Sequence, residues 1–285
     1  MTGITGYRLT AEINRQLKLS SDIARAQSDI SSGKRLQTAS DDPAAWARIA
    51  VIKRVESNQQ AWLSNVNTAA AVADQVSSVL DGLQTSFTRA GELMVNANNA
   101  TNTASDRQAI ADELNGIADD IDAASTTMDS RGLALFPATT PLPIPISRVL
   151  QITATDTKAN VFDTVQTTGG VVSLSQILRT AATAIVNADD TQRKIDSAAS
   201  NDAVQAAITH ITALVGQHGV RAGRIDDIKE QLESNASSLE EERGALEGTD
   251  VTGTVAKLQA NLLSLQAAQA IFARINQSTL FDLIR

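Results

Sequence analysis

The chain has 285 residues, 42% of them apolar but only 3% aromatic, with a net charge of −8 and no cysteine. These numbers exclude disulfides, thiolate chemistry and cysteine-based metal sites, and they argue against nucleic acid as a partner, because phosphate binding is driven by clustered Lys and Arg. A core built mostly of Ala, Leu, Ile and Val suits helix packed on helix, so a mainly α fold is expected.

The first twenty residues carry Arg8, Glu12, Arg15 and Lys18 where a secretory signal needs an apolar run, so no cleaved leader is expected. Leu9, Ile13 and Leu17 recur every four residues and Ile23 and Ile30 seven apart, with Gln16, Ser20 and Gln27 completing the stripe. This is a helix with a diluted apolar stripe, and Gly33 offers it a left-handed end. In Ser40-Asp41-Asp42-Pro43-Ala44-Ala45, Asp42 can cap a new helix while Pro43 takes its first position, where the missing N–H costs nothing.

From there a heptad seam runs through Ile52, Val55, Gln59, Trp62, Val66, Ala69, Ala73, Val76, Leu80, Leu83, Phe87, Ala90 and Met94. Only Gln59 is polar, where chance at this composition would leave about half the positions polar. A 3.5-residue repeat winds helices around one another, so this segment is read as a rod with Ile52, Val55, Trp62, Val66, Val76, Leu80, Leu83 and Phe87 in its core. The rod is expected to end near Asn96, and Asn98-Asn99-Ala100-Thr101-Asn102-Thr103 reads as a turn. Ser105 or Asp106 then opens a helix with the stripe Ile110, Leu114, Ile117, Ile121, Ala124 and Met128, which folds back along the rod.

After Gly132 the texture changes. Pro137, Pro141, Pro143 and Pro145 rule out a helix, and β-type runs follow at 149–155, 161–165 and 171–174, the last preceded by a Gly169-Gly170 turn. Helical spacing returns through Ile177, Leu178, Ala181 and Ile185. Residues 133–200 are therefore read as a small inserted module containing β-strands. A second rod carries Ile208, Ile211, Val215, His218, Ala222, Ile225, Lys229, Leu232, Ala236, Leu239, Arg243 and Leu246, with Ile211, Val215, Ile225, Leu232 and Leu239 as its core. Gly248, Thr252 and Gly253 break it, and a last helix shows Val255, Leu258, Leu262, Leu265 and Phe272 on heptad positions.

The expected organisation is an N-terminal assembly helix (1–42), the first half of an antiparallel helical rod or coiled-coil bundle (43–132), an outward-facing α+β module (133–200), the second half of the rod (201–248) and a C-terminal assembly helix (249–285). Residues 1–40 balance Arg8, Arg15, Lys18, Arg25, Lys34 and Arg35 against Glu12, Asp22 and Asp29, giving 6 − 3 = +3. Both ends are basic and the middle is acidic. Ordering a terminal helix costs backbone entropy that a lone helix cannot recover by burial. The ends are therefore expected to order only between copies of the chain, through Leu9, Ile13, Leu17, Ile23, Ile30, Leu258, Leu262, Leu265, Phe272, Ile275, Leu280 and Phe281. The most apolar stretch, 255–275, holds Lys257, Arg274 and three glutamines, too polar to span a membrane. His210 and His218 stand without metal-ligand spacing or a catalytic partner, so neither an enzyme nor a cofactor is expected. An intracellular coiled-coil scaffold remains a competing reading of the heptads.

The segments Ser32-Gly33-Lys34-Arg35-Leu36, Ser40-Asp41-Asp42-Pro43-Ala44-Ala45, Leu265-Gln266-Ala267-Ala268-Gln269-Ala270 and the closing Leu280-Phe281 resemble the flagellin family, over both ends and both rods. Within that family the Ser-Asp-Asp-Pro run is similar to the members that join hook to filament, whereas filament subunits usually have Ala-Ala-Gly where Pro43-Ala44-Ala45 stands. Arg131-Gly132-Leu133-Ala134-Leu135-Phe136 matches the junction pattern only loosely, and the final Leu283-Ile284-Arg285 is similar to filament subunits. The resemblance implies export through the flagellar type III channel without cleavage and an extracellular place in the flagellum. It also implies self-association in a ring or filament, contacts with flagellin and another hook-associated protein, and an export chaperone. It implies no cofactor, nucleic acid or membrane partner, and leaves a filament subunit as the alternative.

Overall fold

The computed structural model describes the backbone of residues 2–282 and the side chains of residues 10–274. Six helices dominate: α1 (Thr2–Ser32), α2 (Pro43–Ala97), α3 (Ala104–Ala124), α4 (Leu174–Ile185), α5 (Asp190–Glu247) and α6 (Val251–Asp282). The strands are short and antiparallel, with β1 (Ile144–Pro145) on β2 (Gln151–Ile152) and β3 (Val165–Thr167) on β4 (Gly170–Val172). The chain divides into two compact units, residues 1–57 with 236–285 and residues 58–235, and α2 and α5 each contribute to both.

The unit of residues 58–235 has one continuous apolar core. Val66, Ala69, Ala73, Val76, Leu80, Leu83, Phe87, Ala90 and Met94 of α2 are all buried, as heptad spacing requires. The same cluster takes in Ile110, Leu114 and Ile121 of α3, Leu174, Ile177, Leu178, Ala181 and Ile185 of α4, and Val204, Ala207, Ile211 and Ile225 of α5. Trp62, Val215 and Leu232 are half-buried at its margins. α3 begins one residue before the expected start, because Thr103 and Asp106 form a reciprocal cap that satisfies two helix-end N–H groups. It ends at Ala124, so Met128 lies beyond it and is exposed rather than continuing the stripe.

Residues 133–200 differ from the expected module in two respects. They have no separate core, since Leu135, Phe136, Ile146, Ile152, Val161, Phe162 and Val165 all belong to the cluster just described, with Phe136 and Phe162 edge to face at 5.2 Å. In addition, α5 begins at Asp190, well before the expected boundary at 201. Residues 190–200 include one large apolar side chain, Ile195, and it is exposed, so they show no stripe. Their start is fixed instead by Asp189, whose carboxylate accepts the N–H groups of Thr191 and Gln192. The β reading also shrinks. Of 149–155 only Gln151 and Ile152 pair, and Val149 is fully exposed; Ala159–Asp163 forms a π-helical turn, which lets the adjacent Val161 and Phe162 both point inward.

In the unit of residues 1–57 and 236–285, α1 packs against α6. Its apolar cluster is small: Leu36, Ala45 and Ile49, with Leu246 beside them. Ile23, Ala26 and Ile52 are buried as well. α1 stops where Gly33 adopts φ +68°, as the sequence suggested. α2 starts at Pro43, with the Ala45 N–H donating to the Asp42 carboxylate at 3.0 Å, so Asp42 and Pro43 hold the cap positions.

Candidate assembly site

The α1 and α6 helices carry the residues expected to join copies of the chain, and the structure divides them between two faces. On α1 the covered face is Glu12, Gln16, Leu19, Ile23, Ala26 and Ile30, all half-buried or buried, at alternating four and three residues. Ile13 and Leu17 fall off that face and are exposed, at 43% and 64%. Leu19 was not anticipated as a contact; the stripe had been read in the register of Ile13 and Leu17, one helical step away. On α6, Leu258, Leu265 and Phe272 are half-buried while Leu262 is exposed. Leu9, Ile275, Leu280 and Phe281 lie outside the residues whose side chains are described.

More telling is what α6 leaves uncovered. Between Val251 and Phe272 the only charged residue is Lys257, and Leu263 and Ile271 are 69% and 60% exposed on the side away from the covered positions. A surface helix normally sets one apolar stripe against a charged face, whereas the open side of α6 mixes Leu262, Leu263 and Ile271 with the uncharged Gln259, Ser264, Gln266 and Gln269. Val251 of α6 and Trp46 and Val51 of α2 add further exposed apolar surface in the same unit. Val55, expected in the rod core, belongs here too. It is exposed, because Glu56 takes the inward position between Ile52 and Gln59 and binds Arg243 at 2.9 Å.

The bases of both terminal helices are tied together by backbone and charge. The Arg35 N–H donates to the Glu247 carbonyl at 2.7 Å and the Thr249 N–H to the Gly33 carbonyl at 3.1 Å, so the two connecting segments pair like a fragment of sheet. Gly248 is required by the tight end of α5, since a Cβ there would meet the carbonyl oxygen of Gly244, four residues earlier, at 2.6 Å. Over the pairing sits the buried carboxylate of Glu247, with Lys34 Nζ at 3.0 Å, Lys53 Nζ at 3.2 Å and Arg243 Nη1 at 3.5 Å. Burial alone would raise the proton affinity of Glu247, but the bonds from Lys34 and Lys53 outweigh it and hold the carboxyl below its ordinary range. Asp41 receives the N–H groups of Thr38 and Gln37 and the Arg25 guanidinium, which together keep it ionised far below the usual range. Arg48 grips Glu242 through two bonds of 2.6 and 2.9 Å. The Ser40-Asp41-Asp42-Pro43 run thus has a physical role for each acid, one fastening α1 to the turn and one capping α2.

Comparison with known proteins gives the family. Residues 9–139 match the model of the bacterial flagellin N-terminal helical region, and residues 201–284 match that of the C-terminal helical region. The chain belongs to the flagellin family. It is 24% identical to a flagellin of Bacillus subtilis (strain 168) over 94% of both chains, and 29% identical to a flagellin of Clostridium tyrobutyricum over 59% of this chain, a match spanning 42% of that protein. In fold it is similar to flagellar hook associated protein-3 from Legionella pneumophila, with a TM-score of 0.60 at 12% identity, covering 74% of this chain and 99% of that one. A flagellin-family chain is a structural, non-enzymatic protein. Among the described residues no helix is long and apolar enough to cross a membrane, and no group of three or more His, Cys, Asp and Glu stands placed to hold a metal ion.

Proposed function

We propose that this flagellin-family protein is a junction subunit of the bacterial flagellum, joining a hook-associated protein to the flagellin filament through packing of its terminal helices. The observation that carries the assembly part is the second apolar face of α6, formed by Leu263 and Ile271, which a neighbouring copy would cover. Of the proposed assembly residues, Ile13, Leu17 and Leu262 are open to such a neighbour, whereas Ile23, Ile30, Leu258, Leu265 and Phe272 are covered within the chain and present the helices to it, with Leu9, Ile275, Leu280 and Phe281 completing the set; the terminal helices are fully ordered only once a neighbour is in place. The chain is exported without cleavage and is aided by a chaperone before assembly. The Asp41-Asp42-Pro43 turn and the fold likeness to hook associated protein-3 support the junction role over a filament role.

A filament subunit is the second reading, favoured by the flagellin of Bacillus subtilis that runs the same length. Cells lacking the protein separate the two. A junction subunit leaves intact hooks that shed flagellin as monomers, seen by electron microscopy and in the culture supernatant. Hooks bearing normal filaments would overturn the junction role. Gold-labelled antibody should mark one point at the hook tip; label along the shaft would assign the protein to the filament.

A further inference from the structure

His218 occupies a seam position of α5 in a contact that is otherwise apolar, and it is 4% exposed. Its Nε2 stands 2.9 Å from the Ala73 carbonyl and 3.1 Å from Ser77 Oγ, both on α2. A carbonyl can only accept, so Nε2 carries the proton and donates it across to α2, which fixes the neutral ring in one tautomer. The other nitrogen, Nδ1, is buried and meets no protein hydrogen-bond partner. A second proton would have to sit there, as a charge with nothing to receive it.

The charged groups around the ring are Arg221 on α5, Asp74 and Asp81 on α2, and Asp156 from the segment before the π-helical turn. Asp156 is engaged with Arg221 at 3.3 Å, and both line the same small cavity as His218, together with Gln217, Phe136 and Val161. Burial is the largest influence and disfavours the charged ring. The Ala73 bond opposes it, Arg221 reinforces it, and Asp74 and Asp81 oppose it, with the balance holding the proton affinity below the ordinary histidine range.

We propose that His218 is an acid-sensitive pin between α2 and α5: the neutral ring fastens the two helices, and mild acid loosens residues 58–235 by favouring states in which the ring is released and protonated. The sign follows from linkage. An unfolded chain protonates histidine near pH 6.5, whereas the folded one resists until lower pH, so stability is complete above about 6.5 and falls as the pH drops from there through the folded value. This device does not depend on the assembly reading.

The test uses the full chain at fixed ionic strength. Its melting temperature should drop by several degrees between pH 7.5 and 5.5, with amides of residues 69–83 and 211–225 losing hydrogen-exchange protection. His218→Gln should remove most of that pH dependence, and His210→Gln should retain it. In the His210→Gln background the single remaining ring can be followed by NMR, and it should stay in the neutral Nε2–H form at pH 6. A ring half-protonated at pH 6.5 or above, or an acid loss undiminished in His218→Gln, would overturn the proposal. Should His218→Gln fail to fold, the ring titration decides alone.

Discussion

The two compact units are held together by different forces. Residues 58–235 enclose an apolar cluster fed by four helices and the short strands, so most of their stability comes from surface removed from water. Residues 1–57 and 236–285 have a cluster of three buried side chains and Leu246, supplemented by ion pairs at Glu247, Glu242, Glu56 and Asp41. Pairs whose partners are half-exposed stabilise little and weaken with salt. The first unit has a continuous core of its own, although Val95, Leu142, Val149 and Val220 stay exposed on its surface. The second has a much smaller core, keeps Leu17, Leu263 and Ile271 exposed on its two terminal helices, and fastens its connecting segments with charge.

Substitutions sharpen this contrast. The largest effect is expected for Phe87→Ala, which empties a fully buried site in the large cluster and should lower stability by about 3–5 kcal/mol in denaturant melts. If that variant melts like the parent, the core is not where the stability lies. Glu247→Gln should cost about 1 kcal/mol or somewhat more, because Lys34, Lys53 and Arg243 lose a common partner; hydrogen exchange should report it in residues 19–36 and 244–260 and leave residues 69–83 unchanged. Thr103→Ala removes the reciprocal cap of α3 and should cost about 1 kcal/mol, read as a lower denaturation midpoint with unchanged slope. Leu263→Glu should change stability by less than about 0.5 kcal/mol yet abolish self-association in light scattering. A large drop in monomer melting would place Leu263 inside the monomer's own core and break the comparison.

Acid separates the units in a further way. Glu247 ionises below its ordinary range when folded, so its contribution is present above about pH 4.5 and is lost as the pH falls through the lower folded value. His218 acts in the window below about 6.5. On titration, protection should therefore begin to decline below about pH 6.5 in residues 69–83 and below about pH 4.5 around residues 33–36 and 246–249, as a pH series of exchange measurements would show.

Much of this was legible in the chain. Heptads gave the buried faces of α2 because a helix seam repeats its apolar positions at a fixed spacing, and Gly33, Asp42 and Pro43 marked the helix ends through local backbone chemistry that needs no tertiary partner. In α1 the expected Gln16, Ile23 and Ile30 lie on the covered face, but Glu12, Leu19 and Ala26 stand there in place of Ile13, Leu17, Ser20 and Gln27, and a charged residue such as Glu12 is one that no hydrophobic pattern selects. Val55 was misplaced for a related reason: the inward residue is Glu56, admitted there by Arg243 from a segment 187 positions away. The early start of α5 was hidden by residues that pack through small side chains, Ser197 and Ser200 among them.

By itself the sequence determined that the protein is built of long packed helices and is poor in catalytic chemistry, because periodicity, capping and composition act over a turn or two of backbone. Only the tertiary structure decided which polar residues are enclosed and with what partners. The grip of Lys34 and Lys53 on Glu247 and the half-satisfied ring of His218 on Ala73 join groups far apart in the chain, and the energy of a buried charge or dipole is set by what surrounds it in space.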